Sequence, residues 1–112
     1  MIEPVTDATF GSEVVASSDP VLVEFGASWC PPCRAMAPVL EDVARELRGR
    51  ARVVSVDRDE NPAVSGRLGV LSIPTLILFA GGAPVRRIVG YTSKPRLLRL
   101  VEEALGETAP AR

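Results

Sequence analysis

The chain has 112 residues, the size of one domain and too short for two separate cores. Its 46% hydrophobic and 24% charged residues give the balance of a globular chain, and at this length no disulfide is needed for folding. Thirteen basic against fourteen acidic residues argue against nucleic acid or an anionic membrane as partner, and the lack of any histidine excludes Ser-His-Asp and Cys-His catalysis, histidine-based metalloproteases and mixed Cys/His zinc fingers.

At the N-terminus, Glu3 and Asp7 interrupt any apolar run and no small-residue cleavage site follows, so no signal peptide is expected. Nowhere do the ~18–20 consecutive apolar residues of a membrane span occur. A cytoplasmic location and no membrane partner are the expectation. Asp7 to Val15 is predicted as a helix, with Thr6 or Asp7 as N-cap and Phe10 and Val14 at helical spacing, stopped by Ser17-Ser18-Asp19-Pro20. Val21 to Phe25 is a β-branched apolar run between Pro20 and Gly26, the pattern of a strand covered on both faces. Pro31 to Leu47 follows as a helix with apolar residues spaced by three and four, kinked at Pro38 and ended by Gly49. Val53 to Val56 is a second buried strand, Ala63 to Leu68 a weak helix and Thr75 to Phe79 a third strand. Gly81-Gly82 turns into a fourth strand, Val85 to Val89, and Thr92 or Ser93 caps a last helix. The order predicts an α/β domain spanning 1–112, a central mixed sheet of four to five strands flanked by about four helices, with 106–112 as a frayed tail.

The chemistry concentrates in Trp29-Cys30-Pro31-Pro32-Cys33, which follows a strand and opens a helix. A thiolate at Cys30 would meet unpaired backbone N–H groups and the positive end of the helix dipole, which lowers a thiol pKa. Cys33 lies one turn further in, within reach to close or open a disulfide. The rival readings are weak. A structural zinc needs four ligands where one chain supplies two sulfurs, so only a dimer could complete it; a structural disulfide is superfluous at this size.

The run Val21 to Pro38, then Val56-Asp57, then Ser72-Ile73-Pro74-Thr75-Leu76-Ile77-Leu78-Phe79 with Gly81-Gly82, resembles the thioredoxin family over nearly the whole chain. The resemblance implies a thioredoxin fold, a cis peptide before Pro74 facing the cysteines, and reduction of protein disulfides without a cofactor. This chain departs from the usual family pattern at four places. Pro-Pro replaces Gly-Pro between the cysteines, Gly26 stands where many members carry a second tryptophan, Glu24 replaces an aspartate, and Ser55 replaces a lysine near that acid.

Glu24 in an apolar strand is desolvated, so its pKa should rise until it can take the proton of Cys33 through a water; the alternative is ordinary charge at an open edge. Pro74 is either the cis-proline that presents Ile73 to an extended client or a plain strand-entry proline. Trp29 is either a rim residue beside Cys30 or core filling, and Gly90 either leaves room for client backbone or ends its strand. The expected site therefore comprises Cys30 as nucleophile and the more exposed thiol, Cys33 as resolver, Glu24 as base, and Trp29, Pro32, Ile73, Pro74 and Gly90 as client contacts. Neither Pro31 nor Pro32 offers an N–H to the Cys30 sulfur, so thiolate stabilisation is modest and the couple should be reducing. The expected partners are disulfide-containing proteins and, by resemblance, an NADPH-dependent thioredoxin reductase, with the chain itself a monomer. Rival functions are a dedicated reductase for one client pathway, such as cytochrome maturation, and a non-catalytic binding module.

Overall fold

The computed structural model describes residues 2–108. Five strands, β1 (Glu3–Pro4), β2 (Val21–Gly26), β3 (Arg52–Asp57), β4 (Thr75–Ala80) and β5 (Ala83–Val89), form one sheet in the order β1-β3-β2-β4-β5. The pairs β1–β3 and β2–β3 are parallel, whereas β2–β4 and β4–β5 are antiparallel. The helices are a single turn at Gly11–Val15, α1 (Pro31–Glu46), α2 (Pro62–Arg67) and α3 (Lys94–Thr108). This is the mixed, helix-flanked sheet of the thioredoxin fold.

The central strand decides where everything else sits. All six residues of β2 are buried, as its uniform apolar pattern predicts. Side chains alternate along a strand, so Val21, Val23 and Phe25 enter the core on one face, with Phe10, Val54 and Ile77. Leu22 enters the core on the other, with Met36, Leu40 and Leu97 of the long helices. Glu24 and Gly26 share the Leu22 side. On α1 the buried positions Cys33, Met36, Leu40 and Val43 form one stripe at helical spacing. Helical periodicity thus turns Cys33 towards the sheet, on the side where β2 presents its one acid. Fully burying a side chain such as Met36 or Leu40 contributes about 1.5–3 kcal/mol, which anchors the helix that carries both cysteines.

Several expectations need correction. The N-terminal helix is only one turn, closed by an Ala16 N–H to Gly11 O bond of 2.9 Å, and Asp7 does not cap it. Instead the Asp7 carboxylate accepts from the backbone N–H groups of Ala63 (3.2 Å) and Val64 (2.9 Å), capping α2 from more than fifty residues away. Strand β3 is half-buried, because its outer neighbour β1 is only two residues long. Gly81 and Gly82 both have positive φ, +61° and +82°, as the hairpin turn requires. The last helix passes Gly106 and reaches Thr108; residues 109–112, the rest of the tail expected from 106, lie outside the described residues.

Candidate active site

Cys30 occupies the N-cap position of α1 with extended backbone (φ −87°, ψ 114°), and Pro31 and Pro32 fill the first helical turn. Proline suits those positions because their N–H groups have no helical partner and its φ is already helical. Cys33 is then carried one turn on, and the two sulfurs are 2.6 Å apart, with the Cys33 thiol donating to Cys30. The donor that reaches the Cys30 sulfur is thus a thiol. On its other side the Cys30 thiol points at the carbonyl of Ile73, 4.0 Å away.

Ile73–Pro74 is a cis peptide, as the resemblance implies. It lies at the entry of β4, and Pro74 O accepts from Gly90 N–H at 2.8 Å, which ties the end of β5 to the site. Gly90 has φ +91°, a region that side-chain-bearing residues avoid, and a Cβ there would meet nothing within 4 Å. Backbone conformation, not crowding, therefore requires glycine at the strand exit. Trp29 is 60% exposed, which rules out core filling, and its indole N–H donates to Asp59 Oδ2 at 2.7 Å. Pro31 and Pro32 are exposed, as is Leu71 (91%) in the loop before Ile73, a residue that sequence reading passes over. Ile73 packs against Ala27, Cys30 and Cys33, and with the exposed Trp29, Pro31 and Pro32 beside Cys30 in the chain it makes an open apolar front.

The relative exposure of the thiols differs from expectation. Cys30 is 4% exposed and Cys33 8%, so Cys30 is not the more accessible of the two. The residual opening at Cys33 faces backwards, into a cleft of about 250 Å³ lined by Glu24, Gly26, Ala37, Ser55 and Asp57 among others. A second cleft, of about 220 Å³, also touches Glu24, Cys33 and Ser55 and adds Glu41 of α1.

Glu24 is buried (8% exposed), paired in register with Ser55 on β3 and Leu76 on β4, which removes the open-edge reading. Burial raises its pKa from 4.5 to about 7. Desolvation also pushes the Cys33 thiol up to about 12, helped by its hydrogen bond with Cys30 and by the neighbouring negative charges of Cys30 and Glu24; a backbone hydrogen bond with Ala27 works the other way. Ser55, at the register position beside the acid, brings no cation to oppose these shifts. A thiol this reluctant to ionise needs a local base. Among the described residues no group of three or more histidine, cysteine, aspartate or glutamate side chains is placed to hold a metal ion, and no helix is long and apolar enough to cross a membrane.

Three arginines at and just after the end of α1 have conventional surface partners. Arg45 pairs with Asp42, Arg50 with Glu102 at 3.0 Å and Arg52 with Glu13 at 2.9 Å. Exposed pairs of this kind contribute little to stability.

Known proteins agree with this geometry. The thioredoxin family model matches residues 1–103. A thioredoxin of Mycolicibacterium smegmatis is 52% identical over 103 residues, covering 90% of this chain and 92% of the relative. Thioredoxin 1 of Nostoc sp. is 48% identical over 101 residues, covering 90% and 94%. A bifunctional thioredoxin reductase/thioredoxin of Mycobacterium leprae is 53% identical over 95 residues, 85% of this chain but only 21% of that longer protein. With a dithiol at a strand-to-helix turn, a cis-proline opposite it and a family match over most of its length, the chain belongs to the thioredoxin family of thiol–disulfide oxidoreductases, which reduce protein disulfides.

Proposed function

We propose that the chain is a cytoplasmic, monomeric thioredoxin in which Cys30 attacks, Cys33 resolves and Glu24 moves the proton between them and water. The observation that carries this division of labour is the placement of the two sulfurs. Cys30 borders the apolar front and accepts a hydrogen bond from the Cys33 thiol, whereas Cys33 lines both clefts that hold Glu24.

A client disulfide meets the Cys30 thiolate on the front, where Trp29, Pro32, Ile73, Pro74 and Gly90 offer apolar surface and extended backbone. The Cys30 sulfur bonds to one client sulfur and the client S–S bond breaks, so one client thiolate leaves. Cys33 then loses its proton to the carboxylate of Glu24 and its sulfur bonds to Cys30. The Cys30–client bond breaks and the second client thiolate departs. The client gains two electrons and the pair becomes a disulfide. Glu24 returns the proton to solvent through the open clefts.

Regeneration calls for an external dithiol donor. The Mycobacterium leprae relative carries a thioredoxin reductase in the same protein, which supports an NADPH-dependent flavoprotein reductase as the donor here. Neither the dedicated-reductase reading nor the binding-module reading gains an observation of its own. The test is reconstitution with NADPH, a purified thioredoxin reductase and insulin. NADPH oxidation that depends on both insulin and this chain is expected, and none at micromolar protein would contradict the proposal.

A further inference from the structure

Gly26 contributes no chemical group, yet the acid at position 24 owes its place to it. Both residues lie on the α1 side of β2, two positions apart, so their side-chain directions are the same. A Cβ built on Gly26 would stand 2.4 Å from Glu24 Oε2, 3.2 Å from Glu24 Cδ and 3.3 Å from Cys33 Sγ. The carboxylate of Glu24 and the sulfur of Cys33 thus converge on the one point that a side chain at 26 would occupy. The φ of Gly26 is not positive, so the backbone does not demand glycine there.

We propose that Gly26 is a positioning residue for the resolving step: the empty space over its Cα lets the long side chain of Glu24 lay its carboxylate beside Cys33. Glu24 and Gly26 then form a matched pair. Aspartate is one methylene shorter, and its carboxyl would stop short of the space over Gly26. An acid of that length tolerates a Cβ at 26, whereas glutamate does not. The inference rests on Glu24 acting as the base for Cys33, and the two claims fail in different ways.

In the resolving step the Cys33 S–H proton passes to Glu24, the Cys33 sulfur bonds to the Cys30 sulfur, the Cys30–client S–S bond breaks, and the electron pair leaves with the client thiolate. Its rate is read as the decay of the mixed disulfide in a single turnover of the reduced protein with a client disulfide. Formation of the mixed disulfide by Cys30 in the same trace is the internal reference. Gly26→Ala is expected to fold, because the closest atom it displaces is the far end of a flexible side chain. It should slow decay on the order of tenfold, a fraction of what a complete proton-transfer partner contributes.

Glu24→Asp supplies the second background. Adding Gly26→Ala to Glu24→Asp should change decay by less than about twofold, the non-additivity of two side chains that compete for one space. A single Gly26→Ala variant that decays like the parent overturns the proposal while leaving the role of Glu24 intact. Equal slowing by Gly26→Ala in both backgrounds overturns it as well, since the cause would then be crowding of the Cys33 sulfur. If Glu24→Gln decays at the parent rate, the base itself is misassigned and the proposal falls with it.

Discussion

The front and the back of the dithiol are built on different principles. The front, around Cys30, is made of short local motifs and backbone conformation: an N-cap cysteine, two prolines, a cis peptide at Ile73–Pro74 and a positive-φ glycine at 90. The back, around Cys33, is made of side chains brought together from β2, β3 and α1, and there Glu24, Gly26 and Ser55 all differ from the usual family pattern. On the proposed reading one face docks client disulfides while the other moves a proton. Attack and resolution should respond to different substitutions.

The largest expected effect comes from removing the back sulfur. Cys33→Ser leaves Cys30 to attack once from the front, with no thiol to break the resulting bond. Turnover should be lost and a stable Cys30–client disulfide should accumulate, visible by non-reducing electrophoresis and mass spectrometry. Continued turnover would mean that resolution does not use the back sulfur at all.

Next in size is the cost of ionising the buried acid. Glu24 has a pKa near 7 in the folded chain against 4.5 for an ordinary glutamate, so between those values the folded state holds more protons than the unfolded one. Stability should fall as pH rises from about 4.5 and level off above about 7, by an amount on the order of 3 kcal/mol. Urea unfolding of the reduced parent and of Glu24→Gln at pH 5 and pH 8 checks the sign. The parent should lose stability over that interval relative to the variant, and a parent that gains stability would show that its carboxylate is stabilised by its surroundings.

A smaller change belongs to the front. Pro31 has no N–H and no charge to offer the Cys30 thiolate, so the couple should stay near the roughly −270 mV typical of thioredoxins at large. Pro31→His adds an imidazolium there and should raise the potential by about 30 mV or more, one tenfold step in the equilibrium. Titration against glutathione decides between that shift and an unchanged or lowered potential, which would detach loop chemistry from redox poise.

The smallest effect is expected at the rim. Trp29→Phe deletes the indole N–H bond to Asp59 on an exposed ring, so stability should change by no more than about 1 kcal/mol. The KM for a client disulfide should rise more than kcat falls. A kcat loss at unchanged KM would move Trp29 from docking to chemistry.

What was legible in the sequence follows the same division. The strands, the long helix and the cysteine turn were readable because local patterns specify them: the two-faced apolar run at 21–25, the apolar spacing that includes 36, 40 and 43, and Gly81-Gly82. Glu24 stood out as an acid within an apolar strand. Features that depend on distant partners were misread or missed. Asp7 looks like a local cap because the α2 amides it serves are far away in sequence, and β1 is too short to carry a period. The exposure of the two thiols was inverted because the opening at Cys33 comes from a cleft whose walls meet only in the folded chain. Gly26 and Ser55 were visible as departures from the family pattern, but their common surroundings were not.

Glu24→Gln provides the most direct test that the back of the site is a proton-transfer device. Mixed-disulfide formation and decay would be followed separately, by rapid mixing of reduced parent or variant with a client disulfide from pH 5.5 to 9. The account expects decay in the variant to slow by about a hundredfold near pH 7 and to recover as hydroxide replaces the missing base, with formation changed far less. Equal slowing of both steps, or decay that matches the parent across the range, would contradict it.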